Sequence, residues 1–189
     1  MAVQPGRHEL GPGHGQIILR TFRDGLAATA GHDLTIEATR WSGVLDVNEN
    51  LSPASLEVRV DMNALVVREG TGGIKPLSDR DRREIAVTAR KVLAADRNPE
   101  AVFAADKFAP GADGGGEISG TFMLRGASRP ITLKVSETGP DQYHADGTVV
   151  QSSYGIKPYT GFFGALRVRD AVDVAVDVDL SGMEDGHRI

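Results

Sequence analysis

The chain of 189 residues contains no cysteine. Disulfides, thiolate chemistry and cysteine-ligated metal sites are excluded, and cysteine usage says nothing about the redox compartment. Aromatic residues are scarce: one Trp, three Tyr and six Phe. Apolar residues still make up 40% of the chain. A real core is therefore expected, built mainly from Val, Leu, Ile and Ala. Positive charge is in deficit, with 21 Lys and Arg against 26 Asp and Glu and a net charge of −5. That balance, with no basic stripe, argues against nucleic acid as a partner. No window approaches ~18 apolar residues, so no transmembrane helix is expected. The N-terminal segment lacks a basic run followed by ~7–15 apolar residues, so no secretory signal is expected. A cytoplasmic location follows as the expectation, and a periplasmic or secreted one only if a signal has been removed.

What is present in quantity is alternation with a period of two, the pattern of strands with one buried face. Val172, Val174, Val176, Val178 and Leu180 alternate with Asp173, Ala175, Asp177 and Asp179. Leu56, Val58, Val60 and Met62 alternate with Ser55, Glu57, Arg59 and Asp61. Leu34, Ile36 and Ala38, then Ile118, Gly120, Phe122 and Leu124, then Ile131, Leu133 and Val135, repeat the pattern. Further strands are expected at 15–23, 41–47, 101–108 and 142–150. Turn signals stand at Arg23-Asp24-Gly25, Asp113-Gly114-Gly115-Gly116, Gly139-Pro140-Asp141 and Asp146-Gly147.

One principal helix is expected near 78–93. Ser78 is the N-cap candidate, with Asp81 three positions on, and Ile85, Ala89, Val92 and Leu93 form a narrow apolar stripe. A short helical turn is expected at 94–98. About eight or more antiparallel strands with one helix point to an all-β, mainly antiparallel, closed barrel, because closure removes sheet edges. Residues 1–13 read as a flexible N-terminal arm, 14–181 as the barrel domain and 182–189 as a flexible C-terminal tail.

The aromatics are not spread evenly. Tyr154, Tyr159, Phe162 and Phe163 fall within the twelve residues Ser153 to Gly164, together with Gly155, Pro158, Gly161 and Gly164. Glycine admits positive φ and proline fixes it near −65°, so this is a shaped loop. It either plugs one end of the core or plugs it and also borders a ligand site.

Four segments in order resemble the YceI-like family. They are Gly31-His32-Asp33-Leu34 with Trp41-Ser42-Gly43; Val92-Leu93-Ala94-Ala95-Asp96-Arg97-Asn98-Pro99-Glu100 leading to Phe103; Gly120 through Leu133; and Tyr154-Gly155-Ile156-Lys157-Pro158. The resemblance covers roughly residues 15–180. It implies an extended lipocalin-like, eight-stranded barrel that binds a long apolar molecule such as an isoprenoid or isoprenoid quinone. Many relatives are exported to the periplasm, whereas this chain shows no signal. The expected function is to bind and sequester or transport such a lipid, without catalysis and without a cofactor. Two other readings stand beside it: a small enzyme acting on an apolar substrate, and a stress or interaction module whose barrel is filled by its own side chains. A homodimer is a candidate assembly.

By strand parity, the candidate ligand-contacting wall is Leu34, Ile36, Leu45, Val58, Val60, Phe103, Phe122, Leu133 and Val174. Ile156, Phe162 and Phe163 would border the site from the loop. His32, Tyr154 and Arg125 are candidates for contact with a headgroup. His32 and Asp33 can instead tie a strand start to neighbouring loops, and as strand neighbours they are poorly placed to act on one atom. An arginine placed as Arg125 and Arg129 are, in the turn before Pro130, more often caps the turn and pairs with surface carboxylates than binds a headgroup. The five histidines show no metal-ligand spacing, and His144 with Asp146 makes only two ligands, so no metal is expected. Gly-Ile-Lys-Pro occurs twice, at Gly73–Pro76 and Gly155–Pro158, as a chance match or as two related loops at one mouth.

Overall fold

The computed structural model describes residues 4–111 and 114–183. In chain order the strands are β1 (Gly6–Leu10), β2 (Gly15–Thr21), β3 (Arg23–Asp24), β4 (His32–Ala38), β5 (Trp41–Val47), β6 (Pro53–Asp61) and β7 (Leu65–Gly72). The helix α1 (Asp79–Val92) follows. The remaining strands are β8 (Glu100–Pro110), β9 (Gly116–Leu124), β10 (Ala127–Gly139), β11 (Gln142–Val150), β12 (Thr160–Gly161), β13 (Leu166–Val168) and β14 (Ala171–Asp179). Eleven of them form one curled antiparallel sheet, in the order β1-β5-β6-β8-β9-β10-β11-β14-β2-β4-β7. A small sheet, β12-β13-β3, stands beside it.

The all-β, antiparallel, barrel-like architecture is the one the alternation predicts, but the expected closure is not found: among the described residues β1 and β7 end the sheet as unpaired edges, and it holds eleven strands where the alternation marks nine. The two additional strands are β1 and β7. β1 sits in the segment read as a loose arm, yet Gly6 to Leu10 pair with Val47 to Gly43 and His8 is buried. β7 escapes the alternation because Leu65-Val66-Val67 does not alternate and its end, Gly70-Thr71-Gly72, is poor in β-formers. It pairs with β4 through a register shift between Thr35 and Ile36. The Asp146-Gly147 turn signal is also overridden, since both residues pair with β14 inside β11. Asp113 and the tail from 184 lie outside the described residues.

Curling of the sheet has local causes. Register shifts between Asp46 and Val47, between Ala105 and Lys107 and between Glu137 and Gly139 each bend a strand pair. At Gly120, opposite the second of these, an added Cβ would run into the Ala104 carbonyl and the Ala105 Cα, so glycine permits the close approach of β8. α1 lies against β7, the edge strand. Its start carries a reciprocal capping box: the Ser78 side chain accepts from Asp81 N–H, and the Asp81 carboxylate accepts from Ser78 N–H at 2.9 Å. Ile85, Ala86 and Leu93 pack towards Trp41, Leu65 and Val67, which joins the two ends of the sheet in one cluster. The expected helical turn at 94–98 is a hydrogen-bonded turn, with Asn98 N–H donating to Ala94 O at 2.9 Å.

The outer face is charged and internally paired. Arg59 bridges Glu57 and Glu100 at 2.8 Å each, and Arg68 meets Glu37 at 2.5 Å. His144 and Asp177 sit 2.7 Å apart across β11 and β14. That contact is the first cause holding the Asp177 carboxyl below its ordinary 3.8, and a bond from Gln16 assists. No helix among the described residues is long and apolar enough to cross a membrane.

Candidate functional site

Inside the curl lies a cavity of about 1710 Å³, and its lining is overwhelmingly apolar. Parity makes it so. Along β14 the alternating residues Val172 to Val178, and then Leu180, face it, while Asp173, Asp177 and Asp179 do not. Those eight residue steps correspond to about 26 Å of strand at ~3.3 Å per residue. Leu56, Val58 and Val60 from β6, Ile131, Leu133 and Val135 from β10, and Ile85, Ala89 and Val92 from α1 complete much of the wall. The space stays open because most of these side chains are of middling size. An eight-stranded barrel leaves room for side chains or one small ligand; this wider sheet, with few aromatics to fill it, leaves more.

All nine wall candidates line the cavity: Leu34, Ile36, Leu45, Val58, Val60, Phe103, Phe122, Leu133 and Val174. Ile156 and Phe162 line it from the aromatic loop. The loop has two parts with separate tasks. Tyr154 and Ile156 pack with Met62, Ala95, Ala101, Leu124 and Val149, and Ile156 is only 2% exposed, so this part is a plug. The Tyr154 ring meets Phe122 edge-on at 5.6 Å. Gly155 (φ 67) then turns the chain, and Phe162 reaches the cavity's rim.

Three candidates lie elsewhere. Phe163 is fully exposed and outside the cavity, although its neighbour Phe162, with the same left-handed backbone, lines it. Tyr154 belongs to the plug and does not line the cavity, and burial pushes its phenol above the usual range. Arg125 donates to Gly155 O at 2.7 Å and so braces the loop.

His32 does line the cavity. One ring nitrogen, Nε2, lies 2.8 Å from Lys75 O, and Asp33 accepts from Arg23 N–H at 2.8 Å. The two neighbours therefore serve different loops, and no shared reacting atom lies between them. Around His32 the lining turns polar, with Arg23, Lys75 and Arg167, and α1 adds the carboxylates of Asp81 and Glu84 to the lining. Gly72 (φ 80) is packed against the Arg23 guanidinium where a Cβ would collide with it. Parity could not find this group: Arg23 and Lys75 sit at strand ends and in loops, and Arg167 on the short β13. At the opposite end the lining is acidic, with Glu117, Glu137 and Asp141 beside Tyr143. Among the described residues no group of three metal-ligating side chains converges.

The matching family model is that of the YceI-like domain, over residues 14–180. The chain belongs to the YceI-like family. Two solved relatives share its fold. BcnA from Burkholderia cenocepacia is 14% identical, with a TM-score of 0.58 over 86% of this chain and 94% of that one. A YceI protein from Campylobacter jejuni is 14% identical, with a TM-score of 0.59 over 76% and 81%. A search of curated proteins finds no match. Within this YceI-like chain the family segments mark structural joints. Gly31 to Leu34 opens β4, Trp41 closes the cluster between sheet ends, and Gly120 to Leu133 forms the β9–β10 hairpin.

Proposed function

We propose that this YceI-like protein binds a long-chain apolar lipid of isoprenoid type in its cavity and sequesters or carries it, without catalysis. The observation that carries the reading is a continuous apolar space of about 1710 Å³ extended along the strands. Pockets for drug-sized ligands run to about 1,000 Å³, so the space suits something longer. A barrel meant to be filled by its own side chains would have larger residues where this one has Val and Ala. Burial of ~500 Å² of ligand surface would contribute on the order of 12 kcal/mol gross. Association and ordering offset much of that, which still leaves room for micromolar or tighter binding.

Native mass spectrometry of the purified protein, followed by organic extraction, tests the proposal. A bound mass that extracts as an isoprenoid lipid is the expected result. The delipidated protein should then take up a long-chain isoprenoid with saturable, one-to-one stoichiometry. Failure to bind any such chain after delipidation would refute it.

A further inference from the structure

The end of the cavity lined by Arg23, His32, Lys75 and Arg167 carries apolar side chains that point into solvent. Leu26 and Phe163 are fully exposed, Ile74 is 85% exposed and Phe162 64%. They come from three loops far apart in sequence. Arg23 gathers those loops: its guanidinium donates to Gly31 O at 2.9 Å and lies against Gly72, and its backbone is paired with Val168. Ala27 N–H donates to Ala165 O at 2.9 Å, which ties the Leu26 turn to the Phe162-Phe163 turn.

Exposure at these tips is held in place by the backbone. Phe162 and Phe163 are both left-handed (φ 47 and 53), a conformation that bulky residues rarely adopt. Strain of this kind persists where surrounding structure over-determines it, and it clusters at sites that bind. Contiguous apolar groups beside a polar rim mark an interaction surface. The charges add a direction. Asp33 pairs with Arg23 at 3.8 Å and Asp81 faces Lys75, but Lys75 and Arg167 have no ion-pair partner within 4.0 Å among the described residues. The other carboxylates nearby are engaged: Asp24 accepts from Gly25 N–H, Glu84 pairs with Arg80 at 2.8 Å and Asp79 with Arg82 at 3.8 Å. Glu117, Glu137 and Asp141 lie at the opposite end of a chain whose net charge is −5.

We infer that this end docks on the surface of a lipid bilayer containing anionic lipids. Leu26, Ile74, Phe162 and Phe163 enter the acyl boundary, and Lys75 and Arg167 lie at the headgroups. The apolar tips adjoin the cavity's rim through Phe162, so a hydrocarbon chain could pass between bilayer and cavity without crossing water. The inference rests on the proposed lipid-carrying function for its purpose, but its test does not.

Flotation with phosphatidylcholine vesicles, with and without a minority of phosphatidylglycerol, reads the docking directly. The probe variant is Ile74→Ser/Phe163→Ser, because neither residue lines the cavity. The parent should float with the anionic vesicles, less with the neutral ones, and less again at high salt. The variant should lose at least about tenfold in partition, since each buried apolar side chain is worth roughly that factor. Its thermal midpoint and its binding of an apolar fluorescent probe in the cavity should match the parent's, which separates failed docking from a failed cavity. A parent that does not float with anionic vesicles overturns the inference, and so does a variant that floats like the parent. A parent that is dimeric without vesicles, and a variant that is monomeric, would overturn it by showing that a second copy covers the tips.

Discussion

Leu133 and Lys134 are adjacent on β10 and should respond oppositely to the same substitution. Leu133 lines the cavity at the centre of the wall, with Ile118 across the β9–β10 pair, whereas Lys134 is exposed on the outer face. Asparagine at 133 places an amide where a hydrocarbon ligand must lie. In the empty cavity that amide can keep water, so folding loses only part of a leucine's packing. Leu133 is half-buried, and about 1 kcal/mol is a fair figure for the loss. For a domain of this size that lowers the thermal midpoint by roughly 2–4 °C. When a long apolar chain binds, the amide must shed its water without a new partner, at a cost of about 1–3 kcal/mol. At ~1.4 kcal/mol per tenfold, affinity should fall by about five- to 150-fold. Lys134→Asn should leave both quantities within error. The assay is a fluorescence titration of delipidated protein with an apolar probe displaced by a long-chain isoprenoid, alongside thermal melts. Equal affinities for Leu133→Asn and the parent would show that the cavity wall is not the site. Equal losses in the two variants would show that parity does not decide what the ligand meets.

Three further outcomes follow from local geometry. Ser78→Ala removes one half of the α1 capping box and should cost about 1 kcal/mol, seen in chemical denaturation as a lower midpoint with an unchanged slope. Gly120→Ala should cost more, roughly 1–3 kcal/mol, because the clash is with β8 backbone beside its register shift; a midpoint equal to the parent's would show that β8 can move aside. Asp177 is depressed by its bond from His144, so its contribution is fully present above the unfolded value of about 3.8 and fades as pH falls through the lower folded value. Thermal melts from pH 6 down to about 2 should therefore show an acid loss that is smaller in Asp177→Asn, and identical acid limbs would refute the linkage.

The wall was legible because period-two alternation encodes which face of a strand is buried, and a cavity needs nothing more from its lining. Every residue assigned to the wall by parity alone borders the cavity. The helix was legible for the same kind of reason: Ser78 and Asp81 carry a capping signal that does not depend on tertiary contacts. Long-range pairing was not legible. β1 is recognisable only once β5 is there to receive it, and β7 only once β4 supplies a ladder for a glycine-rich segment. Asp146-Gly147 signals a turn in isolation, but β14 pairs with both residues and holds them straight.

The rim shows why loops resist such reading. Gly-Ile-Lys-Pro occurs at Gly73–Pro76 and at Gly155–Pro158, and the two isoleucines meet opposite fates. Ile156 is 2% exposed, packed among Met62, Leu124 and Val149, whereas Ile74 is 85% exposed at the cavity's end. Identical local sequence gives no basis for choosing between them, because each position is set by its anchors. Gly155 O is held by Arg125 and Ile156 N–H donates to Gln151 O at 3.1 Å, which draws that loop into the core. The 73–76 loop is instead pinned from beneath, by His32 at Lys75 O and by Arg23 packed against Gly72, which leaves Ile74 outside. In the family segment Gly31-His32-Asp33-Leu34 the histidine and aspartate tie the strand start to its neighbours, the reading that stood beside catalysis and headgroup contact. Its histidine and aspartate fix the loops at this end of the cavity, so replacing them should alter what reaches the cavity from here before it alters the cavity itself.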